Sequence, residues 1–263
     1  MLIAPPKPNQ HYTELLRVLV QRNLNVRYRG SLLGVYWSLL SPLIMTGLYT
    51  AIFGSAFAKY YNSSIFNYSL AVLTGMLLIH FFSTSTGETL SSVVRSGPLL
   101  NKIKLPISVF PISTIIAHVC HFMIASYPAL LLVTLWNSHN LLYGLAILLP
   151  FLALVLFCLG VGLFTSALFV FFRDLPYLYE ILVFILWMSS PVFYPATIVP
   201  EQIRPLLRFN PLYPIIESMR QITIYNQLPD LTLILQAIVS GGILTLLSWV
   251  FFQKTKKYFI DLV

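Results

Sequence analysis

The chain has 263 residues, of which 57% are hydrophobic and only 9% are charged, and its mean hydropathy is +0.81. Soluble domains carry about a quarter charged residues, so this composition excludes an ordinary soluble enzyme and indicates that most of the surface faces lipid. The net charge of +8 does not indicate nucleic acid binding, because the basic residues flank apolar segments instead of following a polar stripe. The two cysteines, Cys120 and Cys158, lie inside apolar segments and predict neither a disulfide nor a metal site.

The N-terminal segment has the periodicity of an amphipathic helix. Between residues 11 and 29, apolar side chains recur at spacings of three and four, and polar side chains occupy the opposite face. The apolar positions are Tyr12, Leu15, Leu16, Leu19 and Val20, and the polar positions are Glu14, Arg17, Gln21 and Asn25. We expect a helix on the membrane surface that ends at Gly30. It either only anchors the chain or also forms a collar that contacts a cytoplasmic partner, and the sequence leaves both open.

Six apolar segments follow that are long enough to cross a bilayer, which takes about 20 helical residues. They are predicted at residues 34–58, 68–87, 107–136, 141–172, 177–194 and 231–252. The fourth contains Pro150 and is expected to be kinked or to begin late, and the fifth is the shortest and runs into prolines. The predicted fold class is an all-α integral membrane protein with six transmembrane helices. Its predicted domains are an N-terminal interface segment, 1–33, and a transmembrane domain, 34–263, with a C-terminal tail.

The distribution of Lys and Arg predicts the orientation. With the N-terminus in the cytoplasm, the inside segments hold 12 of the 16 basic residues and the outside segments hold four. The four outside residues are Lys59, Arg204, Arg208 and Arg220. Because cytoplasmic segments are enriched in Lys and Arg, we expect a multi-pass membrane protein with both termini in the cytoplasm.

Two connections are too long and too patterned to be simple loops. The cytoplasmic connection, 88–106, contains a Gly97-Pro98 break. The outer connection, 190–231, holds seven of the 17 prolines, and the stretches 201–209 and 215–225 between them are long enough for short helices. Non-helical backbone at membrane depth is tolerated only where it is buried in protein or lines a wet cavity.

Motifs for soluble chemistry are absent from the sequence. There is no phosphate-binding G-x-x-x-x-G-K loop, no G-x-S-x-G elbow and no pair of acids placed for hydrolysis. His118 and His121 share a helix face and could bind a metal or relay protons, but they lack a third hard ligand nearby, and such histidines often only bond to neighbouring helices. We therefore expect neither a metal nor a catalytic site.

The candidate substrate contacts in the predicted spans are mainly aromatic side chains. Tyr49, Phe53 and Phe57 form one stripe on the first span, and Tyr177, Glu180, Phe184 and Trp187 form another on the fifth. Aromatic faces bind the C–H faces of sugars, so the two stripes predict a lined substrate channel. The alternative is ordinary helix packing together with interfacial belts.

Three segments together resemble the permease subunit of the ABC-2 type exporters of O-antigen, capsular polysaccharide and wall teichoic acid. They are RYRGSLLGVYWSLLSPL at 27–43, LLNKIKLPISVFP at 99–111 and SPVFYPATIVPEQIRPLLRFNPLYPIIESMR at 190–220. The resemblance covers nearly the whole chain in the same order and spacing. In that family two permeases pair and dock on two ATP-binding subunits, a cytoplasmic helix couples to the ATPase, and an outer segment forms gate helices over the channel.

Transferred to this sequence, the resemblance implies two further sets of residues. The ATPase coupling element comprises Arg95, Gly97, Leu99, Leu100, Asn101, Lys102, Lys104 and Pro106. The outer gate comprises Phe193, Tyr194, Pro195, Pro200, Pro205, Asn210, Pro211 and Arg220. Within the gate, Arg220 follows Glu217 by three residues on a predicted helix, so that glutamate is its expected partner.

The predicted function is the permease half of an ATP-driven exporter of a lipid-linked polysaccharide or polyol-phosphate polymer. The chain itself needs no cofactor, since the partner ATPase binds ATP and Mg²⁺. The expected partners are a second copy of the chain, two ATPase subunits, the lipid-linked glycan and membrane lipids, but no nucleic acid. Two alternatives stay open: a permease for small molecules, which shares the fold, and an intramembrane enzyme that uses His80, His118 or His121.

Overall fold

The computed structural model describes residues 8–28, 34–100, 102, 105–202 and 204–262. At residues 8–11, 28, 206, 208, 260 and 261 it describes the backbone alone. The regular structure of these residues is helical throughout. The helices are α1 (Pro8–Tyr28), α2 (Trp37–Phe57), α3 (Ile65–Leu90), α4 (Ser92–Arg95), α5 (Gly97–Leu100), α6 (Val109–Ser138), α7 (Leu141–Ala146), α8 (Leu148–Phe171), α9 (Leu175–Ser189), α10 (Arg204–Phe209), α11 (Leu212–Thr223), α12 (Leu231–Thr255) and α13 (Phe259–Leu262).

Within the described residues, five helical segments are long and apolar enough to cross a membrane, where the sequence predicted six. They are Gly34–Tyr60, Ile65–Leu90, Val109–Ser138, Leu141–Phe171 and Leu231–Tyr258. The all-α membrane fold class is confirmed. The predicted fifth span, 177–194, is wrong as a single helix: α9 has 15 residues, or about 22 Å at 1.5 Å per residue, which is short of a hydrocarbon core of about 30 Å.

Side-chain caps set the starts of several helices. Ser64 accepts a hydrogen bond from the Asn67 N–H at 3.2 Å before α3, and Asp230 accepts one from the Thr232 N–H at 2.9 Å before α12. These bonds satisfy backbone donors that have no partner inside the helix. In the predicted fourth span, α7 and α8 are separate helices that meet at Ile147, and Pro150 is the third residue of α8. That position tolerates proline because its N–H would have no intrahelical acceptor, so the predicted interruption is confirmed.

The bundle is organised around α3, which packs against α2, α6, α8, α9 and α11. The tightest pair is α8 with α12. A Cβ atom on Gly160 would lie 2.8 Å from Cγ of Leu244 and 2.9 Å from the backbone nitrogen of Thr245. Thr245 also donates a 2.6 Å hydrogen bond to the carbonyl of Leu156. Small residues and hydroxyl bonds of this kind are what holds helices together in lipid, where apolar burial alone gives little driving force.

The amphipathic pattern of the N-terminal segment is confirmed in α1. Leu19 is buried, and Tyr12, Leu15 and Leu16 pack on the same hydrophobic cluster, which also contains Phe110 of α6. The apolar face of α1 therefore packs against protein at the predicted cytoplasmic end. The predicted helix end at Gly30 lies outside the described residues, and the last residue of α1 is Tyr28.

Candidate functional site

Two aromatic stripes that were predicted on different helices meet at one ring. The Phe193 ring centroid lies 5.2 Å from that of Tyr49, 6.3 Å from that of Phe53 and 6.2 Å from that of Trp187. Phe184 extends the cluster, with its ring 6.0 Å from Trp187. Centroid distances of about 4.5–7 Å are the range of favourable ring contacts. The structure thus joins the predicted channel stripes through a residue that the sequence assigned to the gate.

A groove runs from this cluster along α3 and α9 toward the predicted cytoplasmic end. A cavity of about 210 Å³ lies beside Tyr49, and a larger one of about 580 Å³ lies beside Phe184. The two cavities share Ile79, Ser83 and Trp187 as lining residues. The larger cavity is lined by Ile79, Ser83, Gly87, Glu88, Leu90, Arg95, Pro176, Tyr179, Glu180, Val183, Phe184 and Trp187. The groove therefore combines aromatic walls with a charged lower rim.

Most of the predicted channel residues fall on this groove, and the exceptions are informative. Glu180, Phe184 and Trp187 line it, whereas Tyr177 is 73% exposed and lies outside its lining. Phe57 continues the stack of α2, 5.8 Å from Phe53. Sequence reasoning missed Tyr179, whose hydroxyl forms a hydrogen bond with that of Thr86. Its signal was the spacing of four from Val183, which places both on the inner face of α9.

The polypeptide after α9 is non-helical, with Pro191 and Val192 buried and Phe193 and Tyr194 half-buried. Val192 is fully buried against Gly75 of α3, where a Cβ atom would lie 3.0 Å from Cγ1 of Val192. The hydroxyl of Tyr68 donates a 2.8 Å hydrogen bond to the carbonyl of Phe193. Gly75 lies ten residues into α3, about 15 Å from its first residue, so non-helical backbone lies well inside the bundle. This is the protein-enclosed situation in which such backbone is tolerated at membrane depth.

The two short helices predicted in the gate segment are present as α10 and α11. Asn210 links them to the end of α9: its side-chain N–H₂ donates to the hydroxyls of Ser189 at 3.0 Å and Ser190 at 2.9 Å. Its side-chain oxygen accepts from the N–H of Leu212 at 2.9 Å. One buried amide therefore both caps α11 and fastens it to α9.

Arg220 secures the other end of α11. Its side chain is 2% exposed, and Nη2 donates to the carbonyls of Val192 at 2.8 Å and Ala71 at 3.4 Å. The guanidinium lies 5.9 Å from the ring centroid of Tyr61. Burial raises the pKa of Tyr61, and the guanidinium partly offsets that rise. The expectation that Glu217 holds Arg220 is wrong, because the guanidinium bonds carbonyls of two other elements.

The other predicted gate residues surround this attachment. Tyr194 donates a 3.2 Å hydrogen bond to the carbonyl of Met188, and its ring lies 5.2 Å from that of Phe193. Pro195 is buried, Pro200 and Pro205 are exposed, and Pro211 directly precedes α11.

The predicted coupling element consists of two single-turn helices, α4 and α5, at the end of α3. Leu100 is 7% exposed and belongs to a buried cluster with Val93 and Phe110, and Leu99 packs against the same cluster. Lys102 and Arg95 are exposed, and Gly97 is buried. Pro106 is also exposed, whereas Asn101 and Lys104 lie outside the described residues. The exposed surface of the element is therefore basic, and its leucines face the protein.

Three charged or polar residues from separate helices form a network beside this element. Arg27 of α1 donates a 2.5 Å hydrogen bond to Glu88 of α3, and its two terminal nitrogens lie 3.1 and 3.2 Å from the ring nitrogens of His118 on α6. Nε2 of His118 lies 3.0 Å from the second oxygen of Glu88. His118, the metal or proton-relay candidate, thus serves to join α1 and α3. Because Arg27 and Glu88 are 61 residues apart, the sequence carried no signal for this pair.

Comparison with known proteins agrees with this architecture. The family model of the ABC-2 type transporter matches residues 14–224. The O-antigen export system permease protein RfbA of Myxococcus xanthus is 31% identical over 255 residues, which cover 94% of this chain and 95% of the relative. A protein of the same name from Klebsiella pneumoniae is 27% identical over 255 residues, 95% of each chain. The polysialic acid transport protein KpsM of Escherichia coli is 23% identical over 212 residues, 78% of this chain and 80% of the relative.

A family match over most of the chain, together with five apolar helices of spanning length, settles the class of the protein. The chain is a multi-pass membrane protein and belongs to the ABC-2 type transporter family.

Proposed function

We propose that this chain is the permease subunit of an ATP-driven exporter that moves a lipid-linked polysaccharide out across the bacterial cytoplasmic membrane. The observation that carries the proposal is the groove between α2, α3 and α9, where Tyr49, Trp187 and Phe184 form an aromatic wall above a charged rim. Aromatic faces with a few polar groups are suited to sugar units. Two relatives are named for O-antigen export and for polysialic acid transport, and these names support the same substrate class.

The proposal includes a dimer with two ATPase subunits. The groove lies on one side of a single bundle, and its lining residue Phe184 is 57% exposed, so a second copy related by a two-fold axis would complete a channel. ATP and Mg²⁺ are bound by the ATPase subunits, and this chain contributes no cofactor of its own. The exposed basic surface around Arg95 and Lys102 is the proposed contact for the ATPase.

The proposed topology keeps both termini and the 91–108 connection in the cytoplasm. It requires the chain to cross the membrane between α8 and α12. Helix α9 supplies about 22 Å of this path, and the non-helical residues 190–194 continue it. The short helices α10 and α11 then form the proposed outer gate. Residues 1–33 remain the proposed interface segment, and residues 34–263 remain the proposed transmembrane domain.

The decisive experiment is deletion of the gene in its host, followed by complementation. Loss of the exporter should remove the polysaccharide from the cell surface and cause lipid-linked polymer to accumulate inside, and the wild-type gene should restore export. Trp187→Ala should restore less export than wild type at equal amounts of folded protein, whereas Trp136→Ala, at a 77% exposed position away from the groove, should restore it fully.

Three results would contradict the proposal. An unchanged surface polysaccharide in the deletion strain would remove the substrate class, and ATP-dependent release of a small molecule would favour the small-molecule exporter. Substrate turnover by the purified chain without an ATPase would favour the intramembrane enzyme.

A further inference from the structure

A further cavity of about 270 Å³ lies among α1, the start of α2, α3 and α6, and shares His80 with the smaller cavity of the aromatic groove. It is lined by Arg27, Gly34, Trp37, Ser38, Leu77, His80, Phe81, Thr84, His118, His121, Phe122 and Ser126. Seven of these 12 residues are polar, in a chain that is 57% hydrophobic. Polar and ionisable groups at membrane depth are costly to bury and usually serve a function.

The nitrogen-bearing side chains of the lining favour an anion. Arg27 and three of the five histidines of the chain line the cavity, and the lining contains no acidic residue. Glu88 reaches Arg27 and His118 but lies outside the lining. A neutral imidazole offers one N–H donor and a guanidinium offers five.

Two of the three hydroxyl groups in the lining already donate to backbone carbonyls. Ser38 donates to the carbonyl of Val35 at 2.8 Å, and Thr84 donates to the carbonyl of His80 at 2.7 Å. The guanidinium and imidazole groups of the lining are donors of the kind that suits oxyanions.

The cavity is placed where a lipid headgroup would reach it. Arg27 is in the last turn of the amphipathic helix α1, and Trp37, which is 53% exposed, is the first residue of α2. Tryptophan and arginine at the start of a membrane span are typical of the headgroup layer. Basic pockets between membrane helices on the cytoplasmic side bind phosphate-bearing lipid headgroups.

We propose that this cavity binds the phosphate group of an anionic lipid, with Arg27, His80 and His121 as the donors that face it. The phosphate has two sources: a bulk phospholipid such as phosphatidylglycerol, or a phosphate that links the transported glycan to its lipid. The second source rests on the proposed function, and the first does not. In either case the phosphate lies between the interface helix and the first span.

Native mass spectrometry of the purified full-length chain tests the site with four probes: phosphatidylglycerol, phosphatidylcholine, farnesyl diphosphate and inorganic pyrophosphate. We expect saturable binding of one phosphatidylglycerol or one farnesyl diphosphate per chain and weaker binding of phosphatidylcholine. Arg27→Gln should weaken that binding at least about tenfold, the loss expected for one hydrogen bond to a charged group. Arg22→Gln, on the same helix but outside the lining, is the matched control and should bind as wild type does.

His80→Phe keeps a ring of similar size but has no N–H donor. This variant tests the lipid site if Arg27→Gln does not fold. It too should weaken binding, in protein whose elution and helical content match wild type. The proposal is overturned if neither lipid probe binds saturably, if phosphatidylcholine binds equally well, if Arg22→Gln weakens binding as much as Arg27→Gln, or if folded His80→Phe binds normally.

Preference for farnesyl diphosphate over phosphatidylglycerol identifies the substrate as the source, and the reverse preference identifies bulk lipid. Inorganic pyrophosphate that competes with the bound lipid confirms recognition through phosphate, and failure to compete at any concentration overturns it.

The test is independent of transport. A chain that binds phosphatidylglycerol in this cavity but exports no polysaccharide would retain the site and lose the proposed function. A chain that exports polysaccharide and binds none of the lipid probes would retain the function and lose the site.

Discussion

Asn210→Ala should detach the gate helices from α9 without unfolding the bundle. The side chain is 6% exposed and forms hydrogen bonds to the hydroxyls of Ser189 and Ser190 and to the N–H of Leu212. Each of the two hydroxyl bonds contributes about 1 kcal/mol, and a buried N–H without an acceptor costs about 1–3 kcal/mol. Because Leu212 is 1% exposed, water does not replace the lost acceptor in the closed structure. The expected loss is at least about 3 kcal/mol, or at least about a hundredfold in the opening equilibrium.

Hydrogen exchange measured by mass spectrometry checks this prediction. Amides of α11 should exchange at least about a hundredfold faster in Asn210→Ala, while amides of α8 and α12 keep their protection, because local opening is reported separately from global unfolding. Asn25→Ala, on the exposed face of α1, is the control for an asparagine removed from a surface. Ser190→Ala should cost less in the Asn210→Ala background than in wild type, since the two residues share a bond. Unchanged exchange in α11, or a uniform increase over every helix, would refute the reasoning.

Three further predictions concern packing, coupling and the gate. Gly160→Ala should lower the thermal midpoint in detergent, with a cost of about 1–3 kcal/mol, because its Cβ would meet α12 backbone at 2.9–3.0 Å; Gly47→Ala, with nothing within 4 Å, should leave the midpoint almost unchanged, and equal shifts would contradict the packing argument. Lys102→Glu, at an exposed position, should reduce co-purification of the ATPase at a normal yield of permease, whereas Leu100→Asp, at a buried position, should reduce the yield itself; full co-purification with Lys102→Glu would remove that contact. Deletion of residues 200–209 should open an ion-conducting pathway without ATP, and reconstituted dimer that shows no added conductance would exclude these residues from the gate.

The helices that sequence reasoning predicted well are those whose signal is local. A run of about 20 apolar residues identifies a span wherever it lies, and spacings of three and four identify the face of α1 that packs on Phe110. Proline density likewise predicted two short helices in the gate segment. These features depend on neighbouring residues in the chain, which the sequence displays directly.

The prediction of a fifth span at residues 177–194 was wrong for a physical reason. Val192 and Phe193 are as apolar as a membrane helix, so the hydropathy of the segment continues past Ser189, where α9 ends. Their apolar side chains instead pack against protein: Val192 lies on Gly75 of α3, and the ring of Phe193 contacts those of Tyr49 and Trp187. Burial in protein and burial in lipid select the same side chains, so composition cannot separate them.

The partners of Arg220 and Arg27 were not predicted, for a different reason. Arg220 was assigned to Glu217 because residues three apart share a helix face, yet its bonds go to Val192 and Ala71, 28 and 149 residues away. Arg27 was interpreted as a topology signal, and the structure pairs it with Glu88. In both cases the guanidinium joins elements that are distant in the chain, and its removal would leave polar groups of other helices without a partner. The arginines that look like surface markers in this sequence are therefore the positions where substitution should most disturb the arrangement of the helices.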